Sequence, residues 1–587
     1  MKPPVIIAAA GPPRAQIMTI ASKTKSSAMV AINGNPIVGW ILEDLIKKGF
    51  DNFILLMPKK DEQFRNYILH RYKGENLTFD ILGVEQAYNA FGLAHSLYKG
   101  FEQIKKKPKL EKKIKTEGVL IILGQTICKI DDFKNDNLFS EDFLFYDKVS
   151  SEVSRWCYIE TDKNNYITKL IDKPKNIHSK EKALIGIYYL KNTDLIFKNL
   201  KDIIKGNPKA YFSLALEKYN RTNRIKAIKA PDGKWFDCGN VIGINKAKTS
   251  MFDVREHNPI YIDAEKGIIY KKNKSTTDLH DEYMWYLGLP KELWTIVPRA
   301  IDFDFKKGND IYSQFSLEYY GYSTLSEAWV YDNWHKDIWY WVIEKLFKIL
   351  SSFRNYKATM ELDKGNYSAI YWDKTIQRIE TLKNENTLFN RLFDEKTILI
   401  NGVEHCGWKV IEKIIYEKVF DLYNYGKDTT IIHGDFHFGN ILFDVYTGLI
   451  KLIDPRGNFG ETGIFGDCKY DLAKLRHSIS GGYNFISHDL FHVKISSNNS
   501  IYFTLPYTED HKDIIDWFDH QIINAEFDLN EIKLIEGLLF ISMLPLHRDH
   551  PERQKAFFTR GIMLLNEIIN KNKEEIIKQN HINLFKV

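Results

Sequence analysis

The residues with the clearest chemical potential lie in two short stretches, 433–444 (HGDFHFGNILFD) and 451–457 (KLIDPRG). They supply two carboxylates, Asp435 and Asp454, and one side-chain amide, Asn440. Phosphoryl transfer needs a carboxylate that orients the attacking hydroxyl and takes its proton, and oxygen ligands for the Mg²⁺ that bridges nucleotide phosphates. Asn440 can supply such an oxygen from the same loop as Asp435. The alternative is a structural turn whose Asp and Asn side chains only cap backbone groups.

The full set of His, Gly, Asp and Asn, followed by a hairpin and an Ile-Asp pair, resembles the catalytic loop and metal-binding turn of the aminoglycoside phosphotransferase and choline kinase superfamily. The resemblance implies that Asp435 is the catalytic residue. It implies that Asn440 and Asp454 bind the metal, with the hairpin delivering Asp454 opposite Asn440. It also implies that His433 braces the loop and that Asp471, at a helix start, holds the loop in place.

The segment before this loop should contact the nucleotide. The resemblance implies a strand lysine, Lys271 or Lys272, that pairs with the ATP phosphates and with Glu282 on the following helix. Because side chains alternate along a strand, only one of the two lysines can face inward, and the sequence does not decide which. A surface ion pair is the alternative. Residues 315–321 (FSLEYYG) resemble the hinge that holds adenine through backbone groups. The nucleotide-contacting positions implied there are Glu318, Tyr319 and Tyr320.

Basic and aromatic residues also cluster in the C-terminal half. Lys374 and Arg378 share one face of a predicted helix, as residues four apart do, and could grip an anionic acceptor. Ordinary surface charge is an equally good interpretation. Residues 329–341 (WVYDNWHKDIWYW) could form an aromatic cage for a quaternary amine, but helix packing is the better interpretation.

The first 250 residues carry a second series of motifs, which resembles sugar-phosphate nucleotidylyltransferases in its order. Residues 5–14 (VIIAAAGPPR) correspond to that family's glycine-rich nucleotide loop, and residues 91–97 (FGLAHSL) to its segment near the base. Residues 170–175 (LIDKPK) correspond to that family's lysine-containing turn. Residues 235–240 (WFDCGN) correspond to the strand end that carries its metal-binding Asp. The residues implied in nucleotide binding are Gly11, Arg14, Lys23, Lys25, Gly92 and Lys173, with Asp237 as the metal ligand.

Three positions depart from that family's pattern. Residues 11–14 read GPPR instead of G-x-G-x-R, and proline lacks the backbone N–H that a phosphate cradle uses. Ser26 and Ser27 replace the expected Pro-Lys pair, while lysines lie a few positions upstream. Gln125 replaces the first metal-binding Asp, and a neutral amide is a poor substitute for a carboxylate beside a triphosphate. All three lower the expectation of active nucleotidyl transfer.

Composition limits the classes of protein that fit. A chain of 587 residues is too long for one hydrophobic core, so two or three domains are expected. The net charge of +6 is small for this length and does not indicate nucleic-acid binding. No apolar stretch is long enough to span a membrane, and the five cysteines show no CxxC pattern. These features predict a cytoplasmic protein with reduced thiols.

The fold class expected is α/β for the first half. Apolar runs at 5–9, 53–57 and 118–123, separated by helical patterns, predict a mainly parallel sheet. The resemblance implies that this is a Rossmann-like nucleotidyltransferase domain over residues 1–254. The pattern then changes to a hairpin, a helix and a largely helical remainder, which predicts a small mixed lobe followed by a large helical one. The resemblance to the phosphotransferase and choline kinase superfamily implies a bilobal, protein-kinase-like α+β domain over residues 255–587.

The function predicted is a two-domain enzyme. The C-terminal domain would use ATP and Mg²⁺ to phosphorylate a hydroxyl of a sugar, polyol or amino alcohol. The N-terminal domain would use a second nucleoside triphosphate, CTP or UTP, to convert the product into an activated precursor, for example for a capsule or other surface polysaccharide. One alternative is a kinase with an inert, nucleotide-sugar-binding regulatory domain, and another is an antibiotic or choline-type kinase. The sequence identifies neither the acceptor nor the oligomeric state.

Overall fold

The computed structural model describes residues 2–12, 25–72, 76–85, 92–149, 153–174, 182–251, 260–273, 276–306, 312–332, 334–425, 429–459 and 463–569. The chain divides into two compact units, one of residues 1–251 with 331–333 and one of residues 252–330 with 334–587. Within these described ranges, no helix combines the length and the apolar character needed to cross a membrane.

The strands of the N-terminal unit form one large sheet and two small pairs. Its strands are β1 (Val5–Ala8), β2 (Ala31–Ile32), β3 (Asn35–Pro36), β4 (Asn52–Pro58), β5 (Thr78–Val84), β6 (Val119–Leu123), β7 (Thr126–Cys128), β8 (Phe143–Asp147), β9 (Cys157–Thr161), β10 (Ile167–Asp172), β11 (Ala183–Leu190), β12 (Lys226–Lys229) and β13 (Trp235–Asp237). The main sheet has the order β10-β9-β11-β6-β1-β4-β5, with β8 paired to β11 and β12 paired to β8. Two small pairs, β2 with β3 and β7 with β13, lie outside it.

The sheet is mixed rather than mainly parallel. Strands β6, β1, β4 and β5 pair in parallel, as the apolar runs of the first half predict. The later strand β11 pairs antiparallel with β6, and β10 pairs antiparallel with β9. Apolar runs reveal burial on both faces but carry no signal of strand direction, so the antiparallel half was not foreseen.

Helices cover this sheet and close its core. They are α1 (Ile37–Lys47), α2 (Glu62–Arg71), α3 (Leu93–Ile104), α4 (Pro108–Glu117), α5 (Thr193–Gly206), α6 (Phe212–Asn220) and α7 (Val241–Ser250). Leu97 and Phe101 of α3 pack in one core cluster with Ile6 and Leu56 of the sheet. Burial of such side chains is the main source of the unit's stability.

The C-terminal unit begins with a small antiparallel sheet and continues into short hairpins. The strands of the small sheet are β14 (Ile260–Asp263), β15 (Ile268–Asn273), β16 (Ala300–Lys306) and β17 (Tyr312–Glu318), in the order β14-β15-β17-β16. The later strands are β18 (Ser323–Thr324), β19 (Thr397–Ile400), β20 (Val403–Cys406), β21 (Thr429–Ile431), β22 (Ile441–Asp444), β23 (Leu449–Leu452), β24 (Phe465–Asp467), β25 (His492–Ile495) and β26 (Ile501–Thr504).

The rest of this unit is mostly helical. The helices are α8 (Thr276–Gly288), α9 (Leu325–Tyr331), α10 (Lys336–Arg354), α11 (Lys364–Tyr367), α12 (Lys374–Glu385), α13 (Thr387–Asp394), α14 (Trp408–Tyr425), α15 (Cys468–Ile479), α16 (Tyr483–Ser487), α17 (Glu509–Asn524), α18 (Leu529–Ser542) and α19 (Pro551–Ile569). A π-helical turn, Ser368–Asp373, joins α11 to α12. This π-helical turn brings Lys374 into position at the start of α12.

Candidate functional site

A buried carboxylate holds the loop between β21 and β22 through hydrogen bonds to its backbone. Asp471, 1% exposed on α15, accepts hydrogen bonds from the backbone N–H of His433 at 2.6 Å and of Gly434 at 2.9 Å. Burial raises the pKa of Asp471 to about 7, while the two N–H donors act in the opposite direction. The arrangement gives Asp471 the supporting position that the sequence suggested.

Asp435, the predicted catalytic residue, lies at the centre of a polar cluster. Its Oδ1 is 2.8 Å from Nζ of Lys474, and its Oδ2 accepts a hydrogen bond of 2.9 Å from Nδ2 of Asn440. Nε2 of His437 is 3.3 Å from the same Oδ2. Burial opposes ionisation, but Lys474 and His437 outweigh it and hold the pKa of Asp435 well below its usual range. Asp435 is therefore a carboxylate at neutral pH.

His433 and His437, which flank Asp435, contribute differently. His433 is buried, and Trp285 and Phe436 pack edge-on against its ring, so it braces the loop as predicted from the resemblance. Burial lowers the pKa of His433 to about 4, which keeps the ring neutral. The sequence left the role of His437 open. In the structure its Nδ1 accepts a hydrogen bond of 3.0 Å from the backbone N–H of Gly439, and its other nitrogen faces Asp435.

The β22–β23 hairpin brings the second predicted metal ligand to this loop. In its register Ile441 pairs with Leu452, and the N–H of Ile453 donates to the carbonyl of Asn440 at 3.0 Å. Ile453 therefore lies opposite Asn440, and Asp454 comes one position later, where a φ of 57° turns the chain. The carboxylate of Asp454 remains 47% exposed.

Asn440 and Asp454 fit a magnesium ion as oxygen ligands. Nδ2 of Asn440 is committed to the backbone carbonyl and the carboxylate of Asp435, which leaves its Oδ1 outside these bonds. In the described ranges no group of three or more His, Cys, Asp or Glu side chains is arranged to hold a metal. A cation here would depend on nucleotide phosphates for further ligands, which is usual for Mg²⁺.

The small sheet presents Lys271, not Lys272, to the site. Nζ of Lys271 on β15 is 2.5 Å from Oε1 of Glu282 on α8 and also forms an ion pair with Asp454. Burial lowers the pKa of Lys271, but the two carboxylates outweigh it and the net shift is upward. Burial raises the pKa of Glu282 to about 7, against the effect of Lys271. Lys272 points to the exposed face, as strand alternation requires.

The predicted adenine-binding segment has fewer open donors than expected. The N–H of Glu318 donates to the carbonyl of Arg299 at 3.1 Å, and the N–H of Tyr319 donates to that of Gly267 at 2.8 Å. Tyr320 donates its hydroxyl to Glu318 at 3.1 Å and packs under the ammonium of Lys451. Both strand-end donors are thus used within the protein and are not open to a base.

In the aromatic segment 329–341, Trp329 and Trp339 pack together in the interior, while Trp341 is 40% exposed. Trp329 and Trp339 are 2% and 4% exposed and lie edge to face at 4.8 Å between ring centroids. Both rings pack against Phe438 of the loop. Helix packing, the preferred interpretation, describes these two residues.

Basic side chains converge on Asp435 in a way that the sequence only partly indicated. Lys374 is close enough to Arg378, Arg456, Lys474 and Asp435 for each to affect its ionisation. Lys374 and Arg378 were singled out by their helical spacing. Lys474 and Arg456 were missed, although they lie in the segments YDLAK and DPRG that adjoin the recognised motifs.

The first predicted site of the N-terminal unit lies where two parallel strands end. Ala8 of β1 pairs with Leu123 of β6, so the loops with Gly11 and Gln125 leave the sheet side by side. A Cβ at Gly124 would lie 2.9 Å from Cα of Ala9, so glycine permits this approach. Nε2 of Gln125 donates to Oγ of Ser27 at 2.9 Å.

Ser26 and Ser27 hold the loop of Gly11 through hydrogen bonds. The N–H and the hydroxyl of Ser27 both donate to the carbonyl of Gly11, at 3.0 and 3.1 Å. The hydroxyl of Ser26 donates to the carbonyl of Ala9 at 2.6 Å. At the positions where a Pro-Lys pair was expected, this chain therefore has two residues that organise the loop instead of a charged one.

Asp237, the predicted metal ligand, is paired with a cation of the protein. Its Oδ2 forms an ion pair with Arg155 and accepts a 2.6 Å hydrogen bond from Nδ2 of Asn240. The other oxygen accepts from the N–H of Gly239 at 3.2 Å. A Cβ at Gly239 would lie 2.4 Å from Oε1 of Gln125, which places Gln125 and Asp237 around the same glycine. Arg155 was not recognised from the sequence.

Residues 15–253 match the family model described as nucleotidyl transferase. The N-terminal unit carries a nucleotidyl transferase domain. Among solved structures, HddC from Yersinia pseudotuberculosis complexed with GMP-PN is similar at 19% identity and a TM-score of 0.31, covering 43% of this chain and 100% of that one. The CTP:phosphocholine cytidylyltransferase LicC from Streptococcus pneumoniae is similar at 15% identity and a TM-score of 0.33, with the same two coverages.

The other predicted residues of the nucleotidyl transferase domain are more dispersed. Gly92 is the N-cap of α3. Lys25 donates to the carbonyl of Lys60 at 3.0 Å, and Lys173 has a φ of 44° with its ammonium 3.8 Å from the ring centre of Tyr211. Arg14 and Lys23 lie outside the described residues. Among the predicted residues that the structure describes, Gly11 and Asp237 lie near Gln125.

Proposed function

We propose that the C-terminal unit is an ATP-dependent kinase that phosphorylates a hydroxyl of a small molecule, a sugar, polyol or amino alcohol. The observation that carries the proposal is the cluster around Asp435. An ionised carboxylate is held by Lys474 and Asn440. Asp454, which is paired with Lys271, lies close enough to Asp435 for the two carboxylates to interact electrostatically. A structural turn would not require a strand lysine paired with a helix glutamate at the same place.

The proposed reaction uses these groups in separate roles. Asp435 accepts a hydrogen bond from the acceptor hydroxyl and takes its proton as the oxygen bonds to the γ-phosphorus of ATP. The bond from that phosphorus to the β–γ bridging oxygen breaks, and ADP leaves with the electron pair. Lys271, held by Glu282, binds ATP phosphates, and the hinge carbonyls hold adenine. Asn440 and Asp454 would hold Mg²⁺, which offsets charge on the transferring phosphoryl group.

We propose further that the nucleotidyl transferase domain acts on the product. An oxygen of the new phosphate would attack the α-phosphorus of CTP or UTP, and pyrophosphate would leave. Gly11, Lys25, Gly92 and Lys173 are the described candidates for nucleotide contacts, with Asp237 for the metal. The order is chemically sensible, because the product of the first reaction is the nucleophile of the second. The activated product would suit the synthesis of a capsule or other surface polysaccharide.

A second candidate for this domain is a sensor that binds a nucleotide sugar without turning it over. Gln125 in place of a carboxylate, and Asp237 already paired with Arg155, favour it. Both features reduce the negative charge available to a metal ion. The two candidates differ in whether pyrophosphate is released.

The test follows both reactions in the full-length protein. With ATP, Mg²⁺ and a panel of sugars, polyols and amino alcohols, ADP and a phosphorylated acceptor should form. Asp435→Asn should lower this rate about 10²–10⁴-fold, because the amide cannot take the proton, while ATP binding persists. When the phosphorylated acceptor is supplied with CTP or UTP, Asp435→Asn should release pyrophosphate as the wild type does. Near wild-type kinase turnover in this variant would refute the assignment of Asp435.

A further inference from the structure

The surroundings of Asp435 hold more positive charge than negative charge. Arg456, Arg378 and Lys474 each repel a positive charge on Lys374, and Asp435 is the carboxylate that most affects it. That carboxylate is already bonded to Lys474, His437 and Asn440. The predicted metal-binding carboxylate, Asp454, is paired with Lys271. An excess of cations at a half-buried site is unfavourable without an anion.

The side chain of Lys374 makes no direct contact with a counterion. Within the described ranges its ammonium forms no hydrogen bond or ion pair, although Asp435 lies close enough to act on its charge. Burial, followed by repulsion from Arg456, Arg378 and Lys474, lowers its pKa from 10.5 to about 6. A surface lysine would be solvated and would show no such shift, so the surface-charge interpretation does not fit this residue.

The backbone fixes the positions of these cations. The π-helical turn Ser368–Asp373 lies directly before Lys374, and such turns are frequent at functional sites. Nη1 of Arg378 donates to the carbonyl of Ser542 at 2.8 Å. The N–H of Arg456 donates to the carbonyl of His433 at 2.9 Å, which ties this arginine to the catalytic loop.

We propose that the acceptor of the kinase carries a phosphate or carboxylate group in addition to the hydroxyl that is phosphorylated. Lys374, Arg378 and Arg456 bind this oxyanion, while Asp435 orients the hydroxyl. An oxyanion supplies the negative charge that favours protonation of Lys374, and guanidinium and ammonium groups are its usual ligands in proteins. The inference rests on the proposed kinase function, and it excludes simple cationic amino alcohols as the preferred acceptor.

The kinetic test compares small hydroxyl acceptors of different charge. Glycerol, glycerate, glycerol 3-phosphate and ethanolamine are each offered with Mg·ATP to the full-length protein. The anionic members should have a kcat/KM at least about tenfold higher than the others. Lys374→Gln and Arg378→Gln should raise the KM for the anionic acceptor at least about tenfold and leave the KM for ATP unchanged. The matched control is Lys383→Gln on the same helix, whose lysine pairs with Asp394 on the surface.

A binding measurement separates this inference from the kinase proposal. Inorganic phosphate is titrated into the wild type and the three variants by isothermal calorimetry. Binding should weaken in Lys374→Gln and Arg378→Gln and persist in Lys383→Gln. If it does so while no acceptor consumes ATP, the anion site stands and the kinase proposal fails. Equal use of neutral or cationic acceptors, phosphate binding unaffected by Lys374→Gln, or a raised KM for ATP instead of acceptor would overturn the inference.

Discussion

The ammonium of Lys474 lies 2.8 Å from Oδ1 of Asp435, although the two residues come from a helix and from a loop. The pair fixes the direction of the carboxylate, because Asn440 holds the other oxygen at 2.9 Å. It also fixes the charge, since the nearby ammonium favours the ionised form. Orientation and ionisation of the proposed base therefore depend on the same neighbour.

Removing this ammonium should change the pH dependence of the kinase. Lys474 holds the pKa of Asp435 low, so Lys474→Met should raise that pKa. Protonation would then begin at a higher pH, and the acidic limb of the kcat profile should move upward. Lys474→Arg keeps the charge and should leave the limb near its wild-type position. An unmoved acidic limb in Lys474→Met would contradict the pairing.

The two adjacent strand lysines offer a matched comparison. Lys271→Met removes the partner of Glu282 and Asp454 and should lower kcat/KM for ATP by about 10²-fold or more, because the triphosphate loses a positioned cation. Lys272→Met changes an exposed side chain next to it and should have less than a twofold effect. Steady-state kinetics with ATP varied at fixed acceptor decides between them. Equally small effects of the two substitutions on kcat/KM for ATP would mean that neither lysine contacts the nucleotide.

The backbone conformation at Gly434 and the closeness of a neighbouring side chain both favour glycine at this position. Its φ of 77° disfavours a side chain, and a Cβ would lie 2.8 Å from Cβ of Arg456. Gly434→Ala should therefore cost more than the ~1–2 kcal/mol of the left-handed conformation and should impair turnover by displacing the loop. Gly402→Ala is the control, because its φ is 81° but no atom lies within 4 Å. Unfolding curves and kcat should separate the two variants.

Lys374 should make the fold less stable as the pH falls. Its pKa is lowered from 10.5 to about 6, so the unfolded chain binds the proton more readily than the folded protein. The loss of stability grows from pH 10.5 down to about pH 6 and is complete below it. Lys374→Met removes this penalty, so its melting temperature should exceed that of the wild type by more at pH 6.5 than at pH 9. A constant difference across this range would contradict the shift.

Gln125 decides how the nucleotidyl transferase domain works. If it retains a two-carboxylate mechanism, pyrophosphate release by the wild type is weak and Gln125→Asp raises it by adding a charged oxygen ligand. We expect this outcome, because Gln125 and Asp237 lie around the same glycine. Asn137→Asp, at an exposed side chain, adds the same charge elsewhere and should change nothing. Strong wild-type release that falls in Gln125→Asp would show our interpretation of this site to be wrong.

Much of the catalytic loop could be predicted because its elements are close in sequence. The hairpin after Asn440 and the strand with Lys271 follow from local patterns of apolar and turn residues. The exact register did not follow, since Ile453 rather than Asp454 lies opposite Asn440. A shift of one residue leaves the sequence pattern almost unchanged but reverses the face of every side chain.

The remaining site residues come from distant segments and carry no local signal. Lys271 and Asp454 are separated by 183 positions, and Arg155 and Asp237 by 82. Whether a lysine faces a carboxylate or the solvent depends on tertiary packing, which a single sequence does not display. The positions of Lys474 and Arg456 in the site could not be predicted for this reason, although both residues lie within the segments YDLAK and DPRG.

The carboxylate of Asp471 determines how the loop behaves before any substrate arrives. Detaching the loop would leave this buried group without its two N–H donors, so the amide hydrogens of His433 and Gly434 are expected among the slowest to exchange with solvent. The loop is then a rigid surface whose order is already present without a ligand. In the proposed kinase, association with ATP would not have to supply that conformational entropy, which would leave more of the binding energy for positioning the phosphates.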